Sequence, residues 1–282
     1  MRGVCSAEAG PSYNAGVIDR LRLAFRRTRR IAALIVHIAL GVKLAALVFP
    51  FLGTTSRDRA IGWWARRLLR VLGVRLNAQS PPALPDGALL VCNHVSWLDI
   101  YLIMATCRVH FVSKSEVRDW PVVGWLAHTT GTLFLQRGRR ADTARINAEM
   151  RALMQSGAWV AVFPEGTTSD GQSLRRYLPS LLQPAVELDC PVLPAALRYR
   201  TLDGNASLAA AYIDDISLWQ SMLRIVSEPG LIAELHFGAP ILPDGHRREL
   251  AAAAEATTAR LLGFETPGRP PQTPAGPPAA SP

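Results

Sequence analysis

An α/β fold, with a central mostly parallel or mixed sheet flanked by helices and preceded by membrane-associated helices, is predicted by three features of the sequence. From residue 89 to residue 262, short apolar runs alternate with longer helix-patterned ones, which places helices over both faces of a sheet. The run Ala88-Leu89-Leu90-Val91 is apolar without interruption, as expected of a strand buried on both sides. Ahead of this alternation lies an apolar stretch, 31–52, long enough to span a bilayer and bracketed by arginines.

Taken in order, residues 1–30 form a basic N-terminal segment expected to be disordered. It is small and polar to residue 19, then crowded with Arg20, Arg22, Arg26, Arg27, Arg29 and Arg30. Residues 31–75 are expected to be membrane-associated helices. Within 31–52 only His37 and Lys43 interrupt the apolar character, and the flanks do not read as a signal peptide. In the second helix Ile61, Trp64, Ala65, Leu68, Leu69 and Leu72 share one face. Arg66, Arg67 and Arg70 share the other, with Trp63 and Trp64 suited to a headgroup interface. Arginines at both ends of 31–52 oppose a single span under the positive-inside rule. Lys43 at mid-depth would cost about 3 kcal/mol. Both ends are therefore expected on the cytoplasmic side of the inner membrane, with a single span as the alternative.

The catalytic domain is expected over 76–264, after a proline-rich linker at 79–87. Its predicted strands are 89–92, 110–113, 132–136, 159–163, 192–199 and 232–237. Its predicted helices are 141–154, 181–189, 217–225 and 246–262, with a further helix starting near Trp97. Residues 265–282 are proline-rich and expected to be disordered.

The net charge of +9 suits an anionic partner. A membrane surface accounts for it as well as nucleic acid does, and no nucleic-acid partner is expected. Cys5, Cys92, Cys107 and Cys190 show no C-x-x-C spacing, so neither a disulfide framework nor a metal site is read.

Chemistry is expected where strands end. His94 follows the strand at 89–92, and Asp99 lies near enough for a turn to bring its carboxylate to the imidazole. Such a carboxylate fixes the tautomer and frees the other ring nitrogen as a base. In a chain with 6 His the pair alone is a common coincidence. Arg137 closes the strand Gly131-Thr132-Leu133-Phe134-Leu135-Gln136, and a guanidinium fork suits phosphate. It reads equally as a solvated charge beside Arg139 and Arg140. Phe163-Pro164-Glu165-Gly166-Thr167-Thr168-Ser169-Asp170-Gly171 is a strand breaking into a hydroxyl-rich turn. Glu165 there is either a hydrogen-bond acceptor for a substrate hydroxyl or a cap.

These stretches, in this order, resemble the membrane glycerolipid acyltransferase family, whose best-known members acylate lysophosphatidic acid. The resemblance spans about residues 60–240. It rests on Asn93-His94 with Asp99, on the motif ending at Arg137, on Phe163-Pro164-Glu165-Gly166, and on Val192-Leu193-Pro194-Ala195. Lys114 matches a lysine the family often carries. The resemblance implies a glycerolipid acyltransferase-like fold and an acyl-thioester-dependent enzyme on the cytoplasmic face. Its partners would be a lysophospholipid acceptor, acyl-ACP or acyl-CoA as co-substrate, and the membrane lipid surface, with no cofactor and no metal. His94 would be the general base and Asp99 its orienting carboxylate. Arg137 would hold the acceptor phosphate, with Glu165, Gly166, Thr167 and Lys114 as further substrate-binding residues.

Lysophosphatidic acid is the first acceptor implied, and lyso-ornithine lipid the alternative. Three departures bear on that choice. Gln136 stands where many relatives have an acidic residue. Thr168 stands where lysophosphatidate enzymes often have arginine. Tyr177-Leu178 replaces an aromatic-lysine pair, with Arg175 and Arg176 just ahead of it. A hydrolase using a serine near His94 is disfavoured by the absence of a G-x-S-x-G elbow.

Overall fold

The computed structural model describes residues 13–136 and 138–264. Among these, helices α1 (Tyr13–Lys43) and α2 (Thr54–Leu72) precede strand β1 (Val74–Ala78). Then follow β2 (Leu89–Cys92), α3 (Leu98–Thr106), β3 (His110–Lys114), α4 (Val123–Thr129), β4 (Leu133–Leu135), α5 (Arg140–Gln155) and β5 (Val160–Val162). The chain continues through α6 (Gln183–Leu188), β6 (Val192–Thr201), α7 (Leu218–Ser227), β7 (Leu231–Phe237) and α8 (Arg247–Leu262).

The strands form one sheet in the order β1-β7-β6-β2-β5-β3-β4. β2 is central and parallel to both neighbours, with Leu89 opposite Val160 of β5 and Val192 of β6. β7 runs antiparallel to β6, and β1 parallel to β7, so the sheet is mixed. Side chains alternate across β2. Leu90 and Cys92 join the core under α2, α3 and α7, whereas Leu89 and Val91 join the core under α5, α6 and α8. Burial on both faces is the reason this strand is apolar at every position.

β1 was hidden in the sequence because Arg75 and Asn77 point outward and break the apolar pattern. It is an edge strand with one covered face. α4 was also unforeseen, being short and carrying one buried residue, Gly124.

The expected disorder of residues 1–30 is corrected from Tyr13 onward, where α1 already runs unbroken into the apolar stretch. Residues 1–12 and 265–282 lie outside the described residues. Two causes order the basic half of α1. Arginine is a good helix former, and the arginines find acceptors at the C-terminal end of α7. Arg26 Nε donates to Ser227 O at 3.0 Å, and Arg30 donates to Val226 O at 3.2 Å, Glu228 O at 2.7 Å and Pro229 O at 3.1 Å. Helix C-terminal carbonyls lack intrahelical donors and carry partial negative charge, so cations settle there.

α2 also departs from its expected role. Ala65, Leu68, Leu69 and Leu72 are buried in the main core against α3 and contribute no lipid-facing surface. Trp63 stays exposed, and Trp64 turns inward to α1. There Trp64 Nε1 donates to His37 O at 3.2 Å, His37 Nε2 lies 3.1 Å from Trp64 O, and the rings stack with centroids 4.6 Å apart. The helix Gly16–Phe51 is long and apolar enough to cross a membrane.

Candidate active site

Cys92 ends β2 and Leu98 begins α3, so residues 93–97 make the turn that carries His94. This is the carboxyl end of the parallel strands, where α/β sheets open a crevice. Asp99 sits in the first turn of α3 with its side chain 0% exposed. Its Oδ2 accepts from His94 Nδ1 at 2.8 Å, Val95 N at 2.7 Å and Ser96 N at 2.9 Å. Its Oδ1 accepts from the Tyr199 hydroxyl at 2.6 Å. A buried carboxylate is tolerated only when so compensated. Burial, and then the charge of Asp99, push the Tyr199 phenol well above its ordinary pKa, so it remains a donor.

The same contacts decide the tautomer of His94. Nδ1 carries the proton given to Asp99, which leaves the lone pair on Nε2. Among the described residues no group is hydrogen-bonded to Nε2. The ring lies flat on Phe163, with centroids 4.0 Å apart and planes 8° apart, and Phe163 lies in turn against Phe111. The imidazole is thus fixed on one face by an aromatic shelf and on one edge by Asp99, with its opposite edge open.

The backbone of His94 is held as firmly. Its N–H donates to Glu165 Oε1 at 2.8 Å, and its carbonyl accepts from Ser169 N at 2.8 Å and Ser169 Oγ at 3.3 Å. Asn93 extends the β2–β6 ladder by one side-chain step: its Nδ2 donates to Leu197 O at 2.9 Å, and its Oδ1 accepts from Leu197 N at 2.7 Å.

Glu165 is 6% exposed, and burial raises its pKa to about 7 although the backbone N–H groups of His94 and Arg175 pull it down. Its second oxygen accepts from Arg175 N at 3.3 Å. Both oxygens are therefore engaged by backbone, and Glu165 ties the turn after β5 to the turn after β2. Gly166, at φ 73°, takes the left-handed conformation this turn requires, and an added Cβ would lie 3.1 Å from Leu178 Cδ1.

The structure does not gather every expected site residue. Arg137 lies outside the described residues. Lys114 is exposed at the end of β3, and no contact among the described residues joins it to His94. Thr167 is half-buried in the turn after Glu165. Thr168 donates its hydroxyl to Tyr212 O. Val192–Thr201 is strand β6, and its Val192-Leu193-Pro194-Ala195 segment is buried alongside β2.

Tyr199, Asn93 and the Phe163 shelf are the parts that sequence reasoning missed. Asn93 and Phe163 sit inside the quoted motifs. Tyr199 is 100 residues from Asp99 and carries no local signal. Among the described residues no nucleophile is hydrogen-bonded to the histidine ring. Burial holds the Cys92 thiol well above its ordinary pKa, and Ser96 is fully buried, with Oγ accepting from Leu98 N at 3.3 Å.

A histidine oriented by a buried carboxylate, with no partner among the described residues on its outer nitrogen, is an arrangement able to take a proton from an incoming hydroxyl. Comparison with known proteins names the class. Residues 75–198 match the Acyltransferase family. The chain is 38% identical over 256 residues to the lyso-ornithine lipid O-acyltransferase of Pseudomonas aeruginosa, covering 88% of this chain and 95% of that one. It is 36% identical over 183 residues to the 1-acyl-sn-glycerol-3-phosphate acyltransferase of Neisseria meningitidis, covering 64% and 71% respectively. The fold matches the crystal structure of the 1-acyl-sn-glycerophosphate (LPA) acyltransferase PlsC of Thermotoga maritima, with a TM-score of 0.65 at 20% identity, over 87% of this chain and 96% of that one. The chain belongs to the glycerolipid acyltransferase family and is an acyltransferase.

Proposed function

We propose that this protein transfers a fatty acyl group from an acyl thioester, carried by acyl carrier protein or coenzyme A, to the free hydroxyl of lyso-ornithine lipid. The observation that carries the reaction type is the Asp99–His94 pair with its open Nε2. Nε2 takes the acceptor's hydroxyl proton as the oxygen attacks the thioester carbonyl. The tetrahedral intermediate expels the thiolate, breaking the C–S bond, and the imidazolium returns the proton to the leaving sulfur. Asp99 and Tyr199 hold the ring and stabilise its transient positive charge.

Two observations support the choice of acceptor. Thr168 takes the position of a phosphate-binding arginine, and its hydroxyl is already committed to Tyr212 O. The Pseudomonas relative is matched along nearly its whole length. A second reading, lysophosphatidic acid, is favoured by the Neisseria relative and by Arg175 next to the Glu165 turn. In that reading Arg137 and Arg175 would serve the phosphate. An assay offering both lysolipids together decides between them. Exclusive use of lyso-ornithine lipid supports the first reading, and exclusive use of lysophosphatidic acid replaces it with the second.

The apolar helical segment Gly16–Phe51 supports a membrane seating. Its polar residues bind α7 and α2 at both Arg30 and His37. Ile35, Val36, Leu47 and Phe51 remain 63%, 68%, 66% and 86% exposed. A segment tied to the rest of the protein at a few points and apolar on its outer side is suited to lie in one leaflet of the inner membrane, with both ends on the cytoplasmic face. Cysteine labels placed before Arg20 and after Arg59 then report the same side. Labels on opposite sides would establish a single span.

A further inference from the structure

Two adjoining clefts lie along the seam between α1 and α2, and neither includes His94, Asp99 or Glu165. The helices run antiparallel, with Arg30 against Gly73 at one point and His37 against Trp64 at another. The first cleft, of about 240 Å³, is lined by Arg30, Arg70 and Arg75 together with Gly73, Pro229 and Gly230. The second, of about 290 Å³, is walled mainly by Ala33, Val36, Leu40 and Val71, with His37 and Arg67 as its polar lining. Arg70 of the first cleft and Val71 of the second are consecutive on α2, so the basic cleft and the apolar groove are neighbours along that helix.

Arg30 is a prearranged cation. It is 7% exposed, and three backbone carbonyls at the end of α7 fix its guanidinium. It fits only because residue 73 is glycine: a Cβ there would sit 2.0 Å from its Nη2. Burial, and then Arg26 and Arg29, lower the pKa of Arg30, while the opposing pull of Glu228 is the weakest influence on it. Arg70 and Arg75 are exposed at either side, and among the described residues none of the three arginines is paired with a carboxylate. Three guanidinium groups line one cleft, with Glu228 a weak counter-charge at Arg30, and such a cluster favours an anion with several oxygens, such as a phosphate. A free phosphate would use only the basic cleft. The neighbouring groove, on the helix that presents its apolar face outward, adds a wall for a hydrocarbon chain.

We propose that the α1–α2 seam binds one anionic membrane phospholipid as an accessory ligand distinct from the substrates, its phosphate in the basic cleft and one acyl chain in the apolar groove. The inference rests on the membrane seating proposed above and is independent of which lysolipid is the acceptor. A lipid held there would bridge α1 to α2 and to the β1 edge of the catalytic domain, and would make seating depend on the charge of the membrane.

Native mass spectrometry of the full chain in detergent tests the site, with dioleoylphosphatidylglycerol and dioleoylphosphatidylcholine as probes. One phosphatidylglycerol is expected to stay bound per chain, in preference to phosphatidylcholine. Arg70→Ala with Arg75→Ala is expected to weaken that retention about tenfold or more, because two charge-assisted contacts are lost. Ala33→Trp, which fills the groove and leaves the arginines in place, is expected to weaken it as well. Both variants should transfer acyl groups between short-chain substrates in detergent at the wild-type rate.

Equal retention of the two lipids, or unchanged phosphatidylglycerol retention in both variants, would overturn the site. Retention of glycerol phosphate as tight as that of the lipid would overturn the groove's role. Flotation of the wild type with phosphatidylglycerol vesicles separates the two ideas. Flotation without preferential retention refutes the seam alone, and absence of flotation refutes the seating on which it rests.

Discussion

At the turn between β2 and α3, His94 and Asp99 are held by backbone amides, by Glu165 from the turn after β5, by Tyr199 from β6 and by the Phe163 ring. Along the segment Gly16–Phe51, by contrast, Ile35, Val36, Leu47 and Phe51 are exposed, and polar ties hold it to α7 and α2 at a few points only. The first region spends its polar groups inward to hold one imidazole in one orientation. The second spends its polar groups on attachment and offers its apolar groups outward. The contrast separates two tasks that a lipid-modifying enzyme must combine, namely fixed geometry for proton transfer and an adaptable surface for reaching a substrate in a bilayer.

If the turn is the chemical region, damage there should abolish turnover without loosening membrane attachment. His94→Ala has the largest expected effect. Acyl transfer should fall on the order of 10⁴-fold, with vesicle flotation unchanged. Asp99→Asn follows at about 10²–10³-fold, because the amide no longer enforces the Nδ1–H tautomer. A flotation defect in either variant, with turnover preserved, would break the division between the regions.

Glu165→Gln sharpens the comparison through stability. The folded-state pKa of Glu165, about 7, lies above its ordinary value. Its contribution to stability is therefore fully present below the unfolded-state pKa and is lost as pH rises through 7. The loss is on the order of 3 kcal/mol. Denaturant titrations at pH 5 and pH 8 should show that slope in the wild type, and a shallower one in Glu165→Gln. Equal slopes would mean that the turn is not held by a buried, titrating carboxylate. Tyr199→Phe should have the smallest effect, lowering kcat about tenfold for the loss of one hydrogen bond to a charged group. The KM for either lysolipid should barely change, since the tyrosine touches Asp99 and not the substrate.

What was legible in the sequence follows the same division. The alternation of apolar runs located six of the strands, including the edge strand β4, because each carries a run of apolar residues bounded by turns. β1 left no such pattern, since Arg75 and Asn77 interrupt its apolar residues. At the site, the His94–Asp99 pair was readable because one turn joins them. Tyr199 was not, because only the packing of β6 beside β2 brings it to Asp99. For Glu165, sequence gave the position but not the task. Only the structure reveals that both of its oxygens serve backbone amides. The face of α2 shared by Ala65, Leu68 and Leu72 reads the same whether it meets lipid or α3, so amphipathicity alone did not distinguish core from membrane.

The central claim is that the acceptor hydroxyl, activated by His94, attacks the donor thioester without an acyl-enzyme. A single-turnover, acid-quenched reaction with an excess of enzyme and a radiolabelled acyl thioester tests it directly. Without acceptor, no label should attach to the protein and no thiol should be released. When lysolipid is added, thiol release and lipid acylation should rise together at one rate. A burst of thiol before acceptor is added, with label bound covalently to a serine or cysteine, would contradict the account.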